Sequence, residues 1–389
     1  METVRVNRKA ASRVDGGHPW IFRSDIVGEV DAALGGQTVR VECGSRTLGV
    51  AHYSSASLIA VRMLSRRVEE TDMAFFKRRL RAASEFRGQV VSGTTAFRLV
   101  YAEADGLPAL IIDRYADSFV VQALDQGMER STPLIVRALE ELFAPTGILA
   151  RNDAAVRAQE ELPREVRVLS GSIPAVVEFE MNGLRLQADL LTGMKTGSFL
   201  DQRENYVAAA KYARGAALDC FTSTGGFALN MAKSCERVEA VDSSEPAIQR
   251  ARQAAEANGV TNIEFIEADV FDALAGYAAA RRTFDTIVLD PPAFAKSRGH
   301  VEQAAKAYKE INRRALSLLR SGGVLVTCSC SHHMSEADML GVIAEAAMET
   351  KRNLRVLERR MQAADHPVLL TVPETLYLKC LILQEADYS

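Results

Sequence analysis

A doubly wound α/β architecture is expected for the C-terminal half of this 389-residue chain, and three features point to it. Five apolar, strand-like runs recur in order: GAALDCF, RVEAVDS, IEFIEAD, DTIVLDPP and GGVLVTCSCS. Helical stretches separate them. One of these, SSEPAIQRARQAAEANG, has Ser243 or Ser244 as a cap, Pro246 in its first turn and Gly259 at its end. Finally, the runs end in acids or thiols, as expected where the carboxyl ends of parallel strands line a binding edge.

Two smaller regions precede this one. Residues 1–72 read as short β segments (VRVNR, QTVRVEC, RTLGVAHYS, SLIAVRML) punctuated by Gly16-Gly17, Gly35-Gly36 and Gly44, the spacing of a small β-barrel or sandwich. Within them HPWIF, from His18 to Phe22, holds the chain's single tryptophan, Trp20. That cluster suits a core anchor or a surface on which a base stacks. Residues 73–185 read as a middle α+β domain. A helix over 72–88 carries Phe75, Phe76, Leu80 and Phe86 on one side. Strands follow at FRLVYAE, PALIIDRY and SFVVQAL, then a helix around 131–143 and a strand at GILARND. The remainder, 186–389, is the doubly wound domain.

Composition narrows the function. Apolar residues make up 48% and charged residues 25%, ordinary for a soluble chain of two or three domains. No apolar stretch reaches membrane-span length and the N-terminus lacks a secretory core, so a cytoplasmic protein without a membrane partner is expected. Cys43, Cys220, Cys235, Cys328, Cys330 and Cys380 are too scattered for a disulfide framework. The net charge of −3 argues against a generic nucleic-acid binder, but residues 1–98 carry +6 and the rest −9. A basic front end on an acidic body can place phosphate contacts at one end; a solvated helix bearing Lys77, Arg78, Arg79 and Arg81 explains it equally well.

The ligand edge reads as a nucleoside amino-acid site. Asp219-Cys220-Phe221-Thr222-Ser223-Thr224-Gly225-Gly226 joins the first strand to a helix without the GxGxxG spacing of nicotinamide sites and without a P-loop lysine. An acid opening this turn suits an ammonium group better than a pyrophosphate. Asp242, at the next strand end, is suited to ribose hydroxyls, and Asp269, with Val270 beside it, to an adenine. Amino acid, ribose and adenine along successive strand ends describe S-adenosylmethionine. MKTGSFLDQREN, residues 194–205, adds Phe199 and Gln202 as candidates to close over that cofactor, although a hairpin and helix cap would also explain the segment.

The last two strand ends carry the chemistry. Carbon 5 of cytosine is a poor nucleophile until a thiolate adds to carbon 6 and makes the ring enamine-like. An acid near N3 stabilises the charge that develops there. Cys330 is the expected nucleophile and Asp290 the N3 partner, with Pro291, Pro292 and Phe294 walling the base. Cys328 is expected to be a buried small hydrophobe. Cys328, Cys330, His332 and His333 could together hold a metal, but no second Cys/His pair with ligand spacing accompanies them, and no metal is expected.

These residues are familiar together. Through HPWIF, EADGLPALIIDRY, KTGSFLDQR, CFTSTGGF, LDPPAF, TCSCS and ADHP…PETLYLK, the chain resembles the bacterial large-subunit rRNA 5-cytosine methyltransferase I family over nearly its whole length. The resemblance implies a PUA RNA-binding domain, a middle α+β domain and a Rossmann-like class I methyltransferase domain. It further implies S-adenosylmethionine as cofactor and a cytosine of 23S rRNA as substrate. By motif, Cys330 is the family's catalytic thiol, and His18, Trp20 and Arg23 are carried over as RNA contacts. Ser223, Ser198-Phe199 and Cys328 depart from a pattern that carries more aromatics. RNA is therefore the expected partner, with a second copy of the chain allowed. The alternatives are a purine N-methyltransferase on rRNA, which would need no thiol, and a catalytically weak RNA-binding ribosome assembly factor.

Overall fold

The computed structural model describes residues 1–294, 301–331 and 334–386; His332 and His333, considered above as metal ligands, lie outside them. The chain divides into two units. One comprises Met1–Glu180, Ala188–Ser198 and Ala364–Thr375, the other Met181–Gln187, Phe199–Ala363 and Leu376–Ser389. Among the described residues no helix is long and apolar enough to cross a membrane.

The first unit opens with β1 (Thr3–Arg5), β2 (Trp20–Ile21), β3 (Thr38–Cys43), β4 (Arg46–Tyr53) and β5 (Val61–Ser65), in the order β1-β3-β4-β5-β2. A bridge between Val6 and Ile26 joins the segments following the two edge strands, which curls the sheet around Val4, Ile21, Val39, Val41 and Val61. One element departs from expectation. Asn7 accepts a hydrogen bond from Ala10 N at 2.9 Å and starts helix α1 (Arg8–Asp15), which turns Ala10, Ala11 and Val14 to the core where only strands were foreseen.

The middle region follows as α2 (Met73–Val90), β6 (Ala96–Tyr101), β7 (Leu110–Tyr115), β8 (Ser118–Ala123), α3 (Gln126–Phe143), β9 (Gly147–Asn152) and β10 (Glu165–Gly171). Its sheet runs β10-β9-β8-β7-β6, with β8 and β9 parallel. Helix α3 starts earlier than expected because Asp125 caps it through Met128 N at 2.7 Å, leaving Pro133 in the interior instead of the first turn. Deep in this unit the Arg87 guanidinium, 1% exposed, donates to Arg98 O at 2.9 Å, to the Asp105 carboxylate and to Asp365 O at 2.8 Å. The Asp365 carboxylate in turn accepts from Arg98 N. A hairpin of β11 (Val177–Met181) and β12 (Leu184–Ala188) then turns on Asn182 and Gly183, both left-handed at φ 56° and 73°.

The second unit contains α4 (Arg203–Tyr212), β13 (Ala216–Cys220), α5 (Gly226–Met231), β14 (Arg237–Asp242), α6 (Glu245–Ala257), β15 (Ile263–Glu267), α7 (Val270–Ala279), β16 (Phe284–Leu289), α8 (Val301–Leu318), β17 (Leu319–Ser329), α9 (Glu336–Glu349), β18 (Leu354–Arg360) and β19 (Lys379–Glu385). Its sheet runs β15-β14-β13-β16-β17-β19-β18. The five expected strands are present, parallel and doubly wound, with the order reversing beside β13. Two more extend the sheet, and β19 lies antiparallel between β17 and β18. Leu218, Ile287, Leu289, Leu325 and Leu381 fill the core between sheet and helices. The carboxyl ends of β13 to β17 therefore share one edge.

Candidate active site

The turn after β13 is held open by its own backbone. Phe221, Ser223 and Gly225 take left-handed φ values of 63°, 49° and 84°, and Thr222 N donates to Val241 O. Asp219 is fully buried at the mouth of this turn. One carboxylate oxygen, Oδ2, accepts from Thr222 Oγ1 at 2.6 Å and Ala228 N at 2.9 Å, while Oδ1 is buried without a partner. Burial pushes its pKa up from 3.8 to about 7, opposed by those two hydrogen bonds and reinforced by Asp290 and Asp242. An orphaned, buried carboxylate oxygen fits a cationic group approaching over the Gly225-Gly226 turn.

Asp242, the last residue of β14, ties this turn to the next strand. Oδ2 accepts from Ser223 N and Oδ1 from Ser244 N, both at 2.9 Å, and each oxygen retains a further lone pair for a ligand hydroxyl. Ser244 thus begins α6 without using its own side chain as a cap. Asp269 sits two residues beyond β15 and caps α7 through Phe271 N and Asp272 N. The Val270 side chain is buried in the core. Phe199 and Thr224 are half-buried.

Gln202 occupies a more constrained place than sequence reasoning assigned. Its Nε2 donates to Asp290 Oδ1 at 3.0 Å and its Oε1 accepts from Asn205 Nδ2 at 2.7 Å. Asn205 Oδ1 in turn accepts from Arg360 Nε at 2.9 Å. A guanidinium can only donate, so it fixes the orientation of the Asn205 amide, which fixes that of Gln202, which must then present a donor to Asp290. Gln202 and Asn205 are both buried. The chain Arg360–Asn205–Gln202 was invisible in the sequence because Arg360 on β18 lies 155 residues from Asn205 at the start of α4.

Asp290 directly follows β16, and Cys330 directly follows the adjoining parallel strand β17, where Leu289 pairs with Thr327. Acid and thiol thus follow neighbouring parallel strands, with Asp290 level with Cys328 and Cys330 two residues further on. The Cys330 loop is pinned from below. Ser329 Oγ donates to Tyr308 Oη at 2.9 Å, and Tyr308 Oη lies 2.9 Å from Ser331 Oγ. Both serines are fully buried, which leaves Cys330 half-exposed between them. The Phe294 ring meets Tyr308 edge-on at 4.8 Å; Pro291 is buried and Pro292 exposed. Cys328 is buried opposite Cys380, and burial followed by that neighbour pushes its thiol well above the ordinary range. Lys379, unnoticed in the sequence, pairs with Ser329 across β17–β19 and donates to Ser331 O at 2.7 Å and Tyr377 O at 2.9 Å.

In the first unit, Trp20 Nε1 donates to Glu103 at 2.9 Å and its ring meets His18 edge-on at 5.2 Å. Arg23 spends its guanidinium on the carbonyls of Ser54 and Ser57, bracing a loop. A cavity of about 220 Å³ beside His18 is also lined by Arg66, Arg79 and Glu103. Among the described residues no His/Cys/Asp/Glu group has the arrangement of a metal site.

Comparison with known proteins identifies the domains and the family. Residues 213–368 match the methyltransferase domain family and residues 4–66 the PUA-like domain family. Two solved structures share the fold over 99% of this chain and all of theirs at 21% identity. They are SMU.776, a putative methyltransferase complexed with SAH (TM-score 0.85), and a putative SAM-dependent methyltransferase from Streptococcus mutans (TM-score 0.83). The ribosomal RNA large subunit methyltransferase I of Aeromonas salmonicida is 41% identical over 376 residues, 94% of this chain and 95% of its own. Those of Photobacterium profundum and Klebsiella pneumoniae are 40% and 39% identical, over 93% of this chain and 94% and 93% of theirs. Likeness of this depth across almost the full length of both partners places the chain in the ribosomal RNA large subunit methyltransferase I family.

Proposed function

We propose that this protein is an S-adenosylmethionine-dependent methyltransferase that forms 5-methylcytosine in large-subunit (23S) rRNA through a covalent Cys330 adduct. The observation that carries the reading is a half-exposed thiol, Cys330, on the strand end next to Asp290, above an edge where Asp219 holds an orphaned oxygen. Nitrogen methylation would leave that thiol, and the buried serines that pin it, without a task.

When bound, S-adenosylmethionine supplies an electrophilic methyl group. Asp219 would hold its ammonium and Asp242 its ribose hydroxyls, with Asp269 at the adenine end. On the substrate, Cys330 sulfur adds to carbon 6 and the electron pair moves toward carbon 5, making that carbon nucleophilic. Asp290, oriented by Gln202 and protonated with the base bound, donates a hydrogen bond to N3 as negative charge develops there. Once carbon 5 carries the methyl group, its proton leaves to a base and the carbon–sulfur bond breaks, which restores both the aromatic ring and the thiol. The PUA-like region, with His18 and Trp20 beside a cavity lined by Arg66 and Arg79, would contribute RNA contacts.

The reading is tested with 5-fluorocytidine RNA and S-adenosylmethionine. Fluorine cannot leave as a proton does, so a denaturation-resistant adduct mapped to Cys330 is expected. Methyl transfer to ordinary RNA with no adduct on the fluorinated RNA would move the assignment to nitrogen methylation.

A further inference from the structure

We propose that Lys379 is the positioning residue that keeps Cys330 in its thiolate form, its ammonium locked beside the sulfur by two main-chain carbonyls. The inference rests on Cys330 being the nucleophile. Its basis is the register of β17 and β19, which sets Lys379 opposite Ser329, one residue before Cys330. The side chain is 6% exposed and does not reach out to solvent as lysines ordinarily do. Its Nζ is clamped by Ser331 O, one residue beyond Cys330, and by Tyr377 O. An ammonium has three N–H groups, and two are committed to these carbonyls, leaving the third for the sulfur.

The surroundings favour charge on both partners. Burial lowers the Lys379 pKa to about 8 while Cys330 raises it, so the ammonium persists at neutral pH and the attraction is mutual. Among the described residues, the other titratable groups near this strand end are Tyr308 on α8, kept neutral by burial, Asp290 at the end of β16, and the neutral Cys328. The Cys330 proton passes to solvent and Lys379 retains its own, so no bond to the lysine breaks.

The test needs neither RNA nor cofactor. Iodoacetamide labelling of the full-length protein, quantified at the Cys330 peptide by mass spectrometry across pH 5.5 to 9.5, reports the thiolate directly. An opposite charge this close lowers a pKa by about 1 to 3 units, so the wild-type midpoint should fall near or below about 7.5, against about 8.5 for a free thiol. Lys379→Met should raise it by at least about one unit and slow labelling at pH 7 about tenfold, whereas Lys379→Arg should stay within about half a unit of wild type. A wild-type midpoint at or above the free-thiol value overturns the proposal whether or not Lys379→Met folds. So does a Lys379→Met midpoint unchanged from a depressed wild type. Either result leaves the 5-fluorocytidine adduct free to form, so failure here is distinct from failure of Cys330 as nucleophile.

Discussion

If Asp219 holds the cofactor's ammonium as proposed, cofactor binding should release a proton. Its carboxyl is buried with Oδ1 unpartnered and titrates at about 7. A carboxyl with that pKa is about half protonated at pH 7 and about nine-tenths protonated at pH 6. An incoming ammonium requires the carboxylate, so binding should expel about 0.5 proton at pH 7 and about 0.9 at pH 6, and affinity should fall about fivefold between them. Titration calorimetry with S-adenosylhomocysteine in buffers of different ionisation enthalpy reads the proton count directly. 5′-Methylthioadenosine, which keeps the adenosine and thioether but lacks the ammonium, should release none. Asp219→Asn should bind S-adenosylhomocysteine weakly and without proton release. Tight binding by wild type with no buffer dependence at pH 6 and 7 would refute the reasoning.

The same carboxyl should govern the stability of the unliganded protein. Its folded pKa lies above the unfolded 3.8, so its contribution is intact below 3.8 and lost as pH rises through about 7. Asp219→Asn, measured by urea unfolding without ligand, should therefore gain on wild type by about 3 kcal/mol between pH 5 and pH 8. Cys330→Ala should abolish methyl transfer with S-adenosylhomocysteine binding unchanged. Cys328→Ala should retain activity and cost on the order of 1 kcal/mol of stability, from lost packing. Asn205→Asp can still accept from Arg360 but cannot donate to Gln202, so methyl transfer should fall about tenfold with S-adenosylhomocysteine affinity within about twofold of wild type.

What the sequence made legible follows from how each element is buried. Strands β13, β14, β16 and β17 are largely buried and read as near-continuous apolar runs broken by helices, whereas edge strand β15 shows through its alternating IEFIE, so these elements and the acids at their ends could be anticipated. Edge strand β18 escaped notice because LRVLERR alternates with charge, and β19 because it returns antiparallel without an intervening helix pattern. Helix α1 was hidden in a polar segment of only eight residues. The Asn182-Gly183 hairpin carried a clear local signal that was passed over. At the candidate site, the positions of Asp219, Asp242, Asp290 and Cys330 at or just beyond strand ends were legible because parallel strands end in polar residues. Lys379, Tyr308, Asn205 and Arg360 were not, since each acquires its role only through pairing with residues from a distant element.

The arrangement around Arg87 has a consequence for how the protein is made. Synthesis is vectorial, and by the time Ala363 leaves the ribosome every strand of the N-terminal sheets has long been available. The carbonyl of Asp365 that completes the Arg87 guanidinium, 278 residues downstream, has not. Nor has Thr375 O, which accepts from Tyr101. The N-terminal unit is therefore completed late, only shortly before β19 completes the second unit, and until then it holds a buried cation one acceptor short. A stop codon ahead of residue 364 would accordingly damage the beginning of the protein as much as its end.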